Sequence, residues 1–126
     1  MNNKRPVDLA LPQYHFPPMA IVSILHRISG VVLFVFLPFM LYLLGHSLSS
    51  LAGFNATADL IKSPLVRLVL CAYLGATVFH FLAGLRHMMM DCGWGETPAA
   101  GRISAYTVFV VTGILIVLIG RYLWAL

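Results

Sequence analysis

Three long apolar stretches leave this chain few ways to fold. They cover approximately residues 21–51, 64–91 and 103–126, and each reaches the roughly 20 residues that a helix needs to cross a bilayer. Only 10% of the residues are charged and 60% are hydrophobic, a balance that excludes an ordinary water-soluble fold and a disordered chain. The sequence therefore predicts an all-α membrane protein, a single domain over residues 1–126 with three transmembrane helices.

The distribution of basic residues predicts how these helices are oriented. The side that holds the N-terminus and the connection at 92–102 has five basic residues: Lys4, Arg5, Arg27, Arg86 and Arg102. The side that holds the connection at 52–63 has three: Lys62, Arg67 and Arg121. Because cytoplasmic loops carry an excess of Lys and Arg, the N-terminus is predicted to be cytoplasmic and the C-terminus periplasmic. Basic residues that flank apolar runs indicate contact with a lipid bilayer and argue against nucleic-acid binding.

The segment before the first apolar stretch predicts the compartment. Residues 1–18 have no apolar signal core with a small-residue cleavage site, and they are not rich in Arg and Ser. We therefore expect no cleaved signal and no transit peptide, which favours a protein of the bacterial inner membrane.

The two cysteines argue against several kinds of cofactor site. Cys71 and Cys92 would lie about 31 Å apart along one helix, too far to form a disulfide. The sequence contains no CxxC, CxxCH or HExxH motif, so covalent haem and zinc sites have no support.

A small polar patch lies near the cytoplasmic end of the first predicted helix. Helical periodicity places Ser23, Arg27 and Gly30 on one stripe, with His26 alongside. One interpretation is structural: the arginine reaches the lipid headgroups and the serine satisfies the helix end. The other is a quinone site, because a hydroxyl and a guanidinium can donate hydrogen bonds to quinone oxygens.

The second predicted helix carries ionisable residues on one face. His80, Gly84, His87 and Asp91 are spaced by four, three and four residues. Histidine inside a lipid span is costly without a partner, and neutral imidazole is an axial ligand for haem iron. Gly84 would leave space for a flat macrocycle near the backbone. His80 and His87 point the same way, so a second axial ligand would have to come from another helix or chain. His46, on the first predicted helix, is predicted to lie at headgroup level near the opposite face of the membrane.

Three motifs together resemble a known family. They are RPV at 5–7, SILHRISGV at 23–31 and HFLAGLRHMMMDCG at 80–93. These motifs, with the chain length and three spans, resemble the membrane-anchor cytochrome b subunit of succinate dehydrogenase, respiratory complex II. The resemblance implies a subunit of a helical bundle that binds haem b and forms part of the site where ubiquinone is reduced.

The resemblance also implies roles for individual residues. His80 corresponds to the axial ligand of the haem iron, with the other ligand supplied by a second small anchor subunit. Ser23 and Arg27 correspond to positions in the ubiquinone pocket, and His26 and Arg27 to positions near the haem propionates. His87 and Asp91 would help form the surface on which the iron–sulfur subunit docks.

In this family, the reaction steps that precede quinone reduction take place on other chains. Succinate is oxidised on a flavoprotein subunit, and electrons pass through the iron–sulfur subunit to the membrane. This chain has no dinucleotide fingerprint and no cysteine cluster, so it is expected to be a subunit of the enzyme with no catalytic residues of its own. The alternatives are a structural anchor without a cofactor and a fumarate reductase anchor. A small transporter is disfavoured because all four acidic residues lie in loops or at helix ends.

Overall fold

Four α-helices make up nearly all of residues 16–126, the part of the chain that the computed structural model describes. The helices are α1 (Pro18–Ser49), α2 (Leu51–Ile61), α3 (Pro64–Asp91) and α4 (Pro98–Ala125). No strand occurs within residues 16–126. The RPV motif and two of the basic residues used for the orientation, Lys4 and Arg5, lie outside the described residues.

Proline begins each of the three long helices. Pro18, Pro64 and Pro98 all stand at the first helical position, where the ring already has a helical φ angle and the missing N–H is not needed. At the start of α4, the Thr97 hydroxyl also accepts a hydrogen bond from the backbone N–H of Ala100 at 3.3 Å. The helix starts are thus fixed by local sequence.

The predicted membrane spans are confirmed. The helices α1, α3 and α4 contain 32, 28 and 28 residues and are apolar enough to cross a bilayer. At about 1.5 Å per residue each exceeds 40 Å, longer than the roughly 30 Å hydrocarbon layer. The helix α4 begins at Pro98, earlier than the predicted span at 103, because Thr97 and Pro98 form a helix start.

The connection predicted at 52–63 is largely helical, because residues Leu51–Ile61 form α2. Ser50 is fully extended and ends α1, and its hydroxyl then accepts a hydrogen bond from the Gly53 N–H at 3.0 Å to cap α2. A side chain at Gly53 would collide with the backbone carbonyl of His46. A glycine therefore allows the short helix to fold back against the end of α1.

The core lies where α1, α3 and α4 meet. Its buried apolar residues come from all three helices: Val22, Phe79, Ala83, Ala105 and Val108. Small side chains such as Ala83 and Ala105 let helix backbones approach closely, which is how membrane helices associate. Phe79 stacks on Phe109 of α4 with ring centroids 6.1 Å apart. This core holds the start of α1 against the end of α3.

Much of the apolar surface of the three long helices faces outward. Phe34, Leu48 and Leu65, for example, are more than 70% exposed. Such exposure is unfavourable in water and normal in contact with lipid tails or other membrane subunits.

Candidate functional site

Three imidazole rings from two helices come together at one end of the bundle. The His26 ring of α1 stacks on the His80 ring of α3, with centroids 4.2 Å apart and planes inclined by 22°. The His87 ring lies 6.1 Å from the same His26 ring. His80 and His87 therefore lie on one side of α3, as their spacing predicts, and this side faces α1.

The hydrogen bonds of His80 identify which ring nitrogen carries the proton. Its Nδ1 lies 3.1 Å from the backbone carbonyl oxygen of His26 and 3.1 Å from the Oγ of Ser29. A carbonyl oxygen only accepts, so Nδ1 donates its proton to it, and in this tautomer Nε2 holds the lone pair. The Ser29 hydroxyl donates its own proton to the His26 carbonyl at 2.8 Å, and its oxygen can accept from Nδ1.

The other ring nitrogen of His80 is left with a free lone pair. Its Nε2 makes no hydrogen bond with any residue between 16 and 126. A histidine that donates through one nitrogen and offers the other is the usual form of an imidazole metal ligand. The surroundings of His80 therefore fit axial ligation of an iron atom through Nε2.

Two glycines let α1 and α3 approach closely around these rings. A Cβ atom at Gly30 would lie 3.1 Å from Cε1 of His80, and one at Gly84 would lie 3.4 Å from Nε2 of His26. The space beside Gly84 that was expected for a flat macrocycle is thus occupied by the His26 ring. The periodicity of α3 alone gave no indication of this contact, because it depends on α1.

Ser23 and Arg27 lie one turn apart near the start of α1, at the same end of the molecule as the imidazole rings. Ser23 is half-buried and Arg27 is exposed. Neither side chain forms a hydrogen bond or ion pair within residues 16–126, so their donors are available. Both side chains lie near the start of α1, where they can bind a ligand or reach lipid headgroups.

His87 and Asp91 are exposed at the last turns of α3. Their side chains are accessible at the end of the bundle where α1 begins and the 92–97 connection turns. An accessible histidine and carboxylate at a helix end can contact another protein subunit.

His46 lies at the other end of the molecule. Its Nδ1 is 3.2 Å from the hydroxyl of Thr57 on α2, and that hydroxyl donates to the Gly53 carbonyl at 2.9 Å. Because the Thr57 proton is used, the hydroxyl accepts from His46. The residue thus joins α1 to α2, and it is exposed as expected for headgroup depth.

Two side chains that make important contacts were not predicted from the sequence. Ser29 stands inside the SILHRISGV motif but was given no role, although its position three residues after His26 allows a bond to that carbonyl. Arg86 was counted only as a basic residue near a loop. It is instead buried, with Nε donating to Ser104 Oγ at 2.9 Å and Nη2 to the Gly101 carbonyl at 3.2 Å. A face that packs on α4 cannot be recognised from α3 alone.

Both cysteines are free, as predicted. Cys71 is half-buried within α3, and Cys92 is exposed just beyond its last residue. Among the residues that the structure describes, no group of three or more His, Cys, Asp and Glu side chains could hold a metal ion alone.

Comparisons with known proteins cover nearly the whole chain. The profile of the succinate dehydrogenase/fumarate reductase transmembrane subunit family matches residues 1–119. The succinate dehydrogenase cytochrome b556 subunit of Coxiella burnetii is 51% identical over 125 residues, which cover 98% of this chain and 100% of that protein. The subunit of the same name from Rickettsia typhi is 30% identical over 117 residues, covering 93% and 91%. The succinate dehydrogenase hydrophobic membrane anchor subunit of Halobacterium salinarum is 33% identical over 95 residues, covering 75% and 72%.

Proposed function

This chain belongs to the succinate dehydrogenase/fumarate reductase transmembrane subunit family, and we propose that it binds haem b through His80 and forms part of a ubiquinone-reduction site. It is a membrane-anchor subunit of complex II, as the resemblance in the motifs implied, and the succinate-oxidising site lies on another subunit. The haem proposal is supported by the relatives' name, cytochrome b556, and by the chemistry of His80.

The hydrogen-bonded tautomer of His80 is the observation that carries the haem proposal. The His26 carbonyl and Ser29 keep the proton on Nδ1, so the lone pair of Nε2 is free to bind iron. A purely structural histidine at this depth would be expected to use both nitrogens, because unpaired polar groups are costly in a membrane. The cofactor-free anchor gives no reason for the free Nε2.

The second axial ligand of a bis-histidine haem would come from a second small anchor subunit. The His26 and His80 rings are stacked at 4.2 Å, which leaves no space between them for a macrocycle. His87 lies on the same side of α3 as His80, so this helix would supply no ligand from another direction. When bound, haem b supplies a one-electron redox centre within the membrane. His26 and Arg27 are assigned to the region of its propionates, where imidazole and guanidinium groups can donate to carboxylates.

Ser23 and Arg27 are the proposed quinone ligands of this chain. Reduction of a quinone builds negative charge on its oxygens, and a guanidinium group can stabilise that charge. The Ser23 hydroxyl can donate to a carbonyl oxygen of the same molecule. The absence of other hydrogen-bond partners for both side chains within residues 16–126 supports this assignment.

Electrons from the iron–sulfur subunit would arrive at the end of the bundle that holds Ser23 and Arg27. We assign His87 and Asp91 to the surface that docks the iron–sulfur subunit, which in turn carries the flavoprotein subunit. This end would face the cytoplasm of a bacterium, with the chain in the inner membrane and its C-terminus in the periplasm. The direction of the overall reaction in this assignment is from succinate to ubiquinone; the family also includes fumarate reductase anchors.

A spectrum of the purified complex tests the haem proposal. His80→Ala should abolish or strongly perturb the reduced-minus-oxidised haem b bands, while His46→Ala, which changes a histidine at the opposite end, should leave them unaltered. Adding imidazole to the His80→Ala complex should restore bands of a six-coordinate haem, because the small ligand can occupy the space left by the side chain. An unaltered spectrum in the His80→Ala complex would refute the assignment.

A further inference from the structure

Arg86 is a buried cation that has no counter-charge within residues 16–126. Arg86 is only 8% exposed, and it lies within a membrane-spanning helix. Within residues 16–126 the single ion pair joins Lys62 and Asp59, far along the chain from this point. Asp91 and Glu96 are the acidic residues nearest in sequence, and both are exposed and unpaired with it. Burying a charge without an opposite partner is strongly unfavourable, so an anion from outside these described residues is expected.

The guanidinium group is held in place by α4 with donors to spare. Its Nε donates to the Ser104 hydroxyl at 2.9 Å, and Nη2 donates to the Gly101 carbonyl at 3.2 Å. The Ser104 hydroxyl donates onward to the same carbonyl at 3.1 Å, which completes a small closed network. A guanidinium has five N–H donors, and two hydrogen bonds leave Nη1 without a partner in the described chain. The group is therefore fixed and can still bind two oxygens of an anion.

Arg86 lies on the wall of a long apolar groove between α3 and α4. The groove has a volume of about 630 Å³ and is open along one side. Apart from Arg86 and two hydroxyls, its walls are mainly apolar, with side chains that include Leu82, Leu85, Met89, Ile103 and Val111. The volume falls within the roughly 300–1,000 Å³ of ordinary ligand pockets.

One end of the groove carries residues that are typical of the lipid headgroup region. The 92–97 connection closes it with Trp94, which is 71% exposed, and Arg102 is exposed on the next turn of α4. Tryptophan and arginine are typical of the interface between the hydrocarbon layer and water. An anion at Arg86 would lie just inside this interface, with an apolar channel running from it into the bilayer.

From these observations we propose that the groove between α3 and α4 is a binding site for an anionic phospholipid. The phosphate binds the free guanidinium donors of Arg86, and an acyl chain lies along the apolar walls. A phospholipid combines both features in one molecule, whereas a carboxylate from a protein partner would satisfy the charge and leave the apolar channel unfilled. The site lies on the face of α3 that turns toward α4, away from the His80 face, and so it does not depend on the haem and quinone assignments.

The test uses the whole complex, purified in mild detergent and transferred to phosphatidylcholine nanodiscs. Phosphatidylglycerol is then added in steps, bound lipid is counted by native mass spectrometry, and the thermal midpoint is recorded at each step. A ligand that binds the folded complex raises this midpoint with concentration. The wild-type complex should retain phosphatidylglycerol in preference to phosphatidylcholine and be stabilised by it.

Two variants separate the charge from the groove, and a third serves as control. Arg86→Gln removes the charge and should weaken binding by about ten- to a hundredfold, as expected for a charged hydrogen bond. Thr107→Trp fills the groove from an exposed position whose hydroxyl bonds only within α4, so it should abolish binding while Arg86 keeps its network. Arg102→Gln removes an exposed charge at the same end and should bind as the wild type does.

Several results would overturn the proposal. Equal affinity of the wild-type complex for phosphatidylglycerol and phosphatidylcholine would show that the groove does not select an anionic phospholipid. Undiminished binding in Thr107→Trp would place the lipid outside the groove. Loss of a partner subunit from Arg86→Gln, with its lipid content unchanged, would show that the charge serves a protein contact instead.

Discussion

Replacing Ser29 with alanine removes one of the two acceptors that face Nδ1 of His80. The serine is buried, at 6% exposure, and its Oγ lies 3.1 Å from Nδ1 while its proton goes to the His26 carbonyl. The change deletes a single oxygen atom and keeps the helix, so the His26 carbonyl remains to hold the tautomer. If His80 binds haem iron as proposed, the variant alters the ligand's basicity and leaves ligation intact.

The expected effect is a more positive midpoint potential for the haem. A hydrogen bond from Nδ1–H makes Nε2 a stronger base, and ferric iron gains more from a strong base than ferrous iron does. A neutral hydrogen bond contributes about 0.5–1.5 kcal/mol, and a tenfold change in a one-electron equilibrium corresponds to about 59 mV. Because the second acceptor remains and only part of the bond energy differs between redox states, a shift of about 20–40 mV is expected.

A redox titration of the haem absorption in the purified complex measures this shift. Ser29→Thr keeps the hydroxyl and should restore most of the wild-type potential. Ser47→Ala is a matched control, since Ser47 is half-buried on the same helix and its side chain makes no hydrogen bond within residues 16–126. A potential unchanged in Ser29→Ala, or a shift of equal size in Ser47→Ala, would contradict the reasoning.

Two further predictions concern the quinone and the orientation. Ser23→Ala and Arg27→Leu should each lower succinate-to-quinone activity by about a hundredfold or more, the usual effect of losing a donor to developing charge in a dry site, while electron transfer from succinate to a soluble artificial acceptor stays near normal. If both activities fall together the residues serve assembly, and if neither falls Arg27 only reaches headgroups. Cys92 should react with an impermeant thiol reagent from the cytoplasmic side in the free subunit, and Asn55→Cys should react from the periplasmic side; the reverse pattern would invert the proposed orientation.

The long helices could be predicted because the bilayer constrains each of them separately. A run of about 20 apolar residues has few alternatives to a spanning helix, whatever it packs against. The short helix α2 escaped this reasoning because it contains only 11 residues and mixes Phe54 and Leu60 with Asn55 and Asp59. Its existence depends on a capping hydroxyl at Ser50 and on contact with α1, and neither appears in the hydropathy of the segment.

The part of the candidate site that depends on one helix alone could be predicted from the sequence. Spacing along α3 places His80 and His87 on one face, because a single helix determines that relation. The contact of His80 with Ser29 and the stacking on His26 depend on the rotation of α1 against α3, which no single-helix pattern contains. The burial of Arg86 likewise depends on α4. What the sequence lacks is therefore the set of relations between helices, and these relations decide which nitrogen is free and which charge is unpaired.

These relations give α3 two separate chemical faces. At about 100° per residue, His87 lies about 20° around the helix from His80, whereas Arg86 lies about 120° from it. The first face meets α1, where a carbonyl and a hydroxyl orient the His80 imidazole. The second meets α4, where a hydroxyl and a carbonyl hold a guanidinium. Because the two networks share no side chain, a change in one should affect the other only through the position of α3 itself. If His80 binds haem and Arg86 binds lipid as proposed, Ser29→Ala should shift the haem potential without changing lipid binding, and Thr107→Trp should abolish lipid binding without shifting the potential. The double variant should then show both changes at the sizes measured in the single variants.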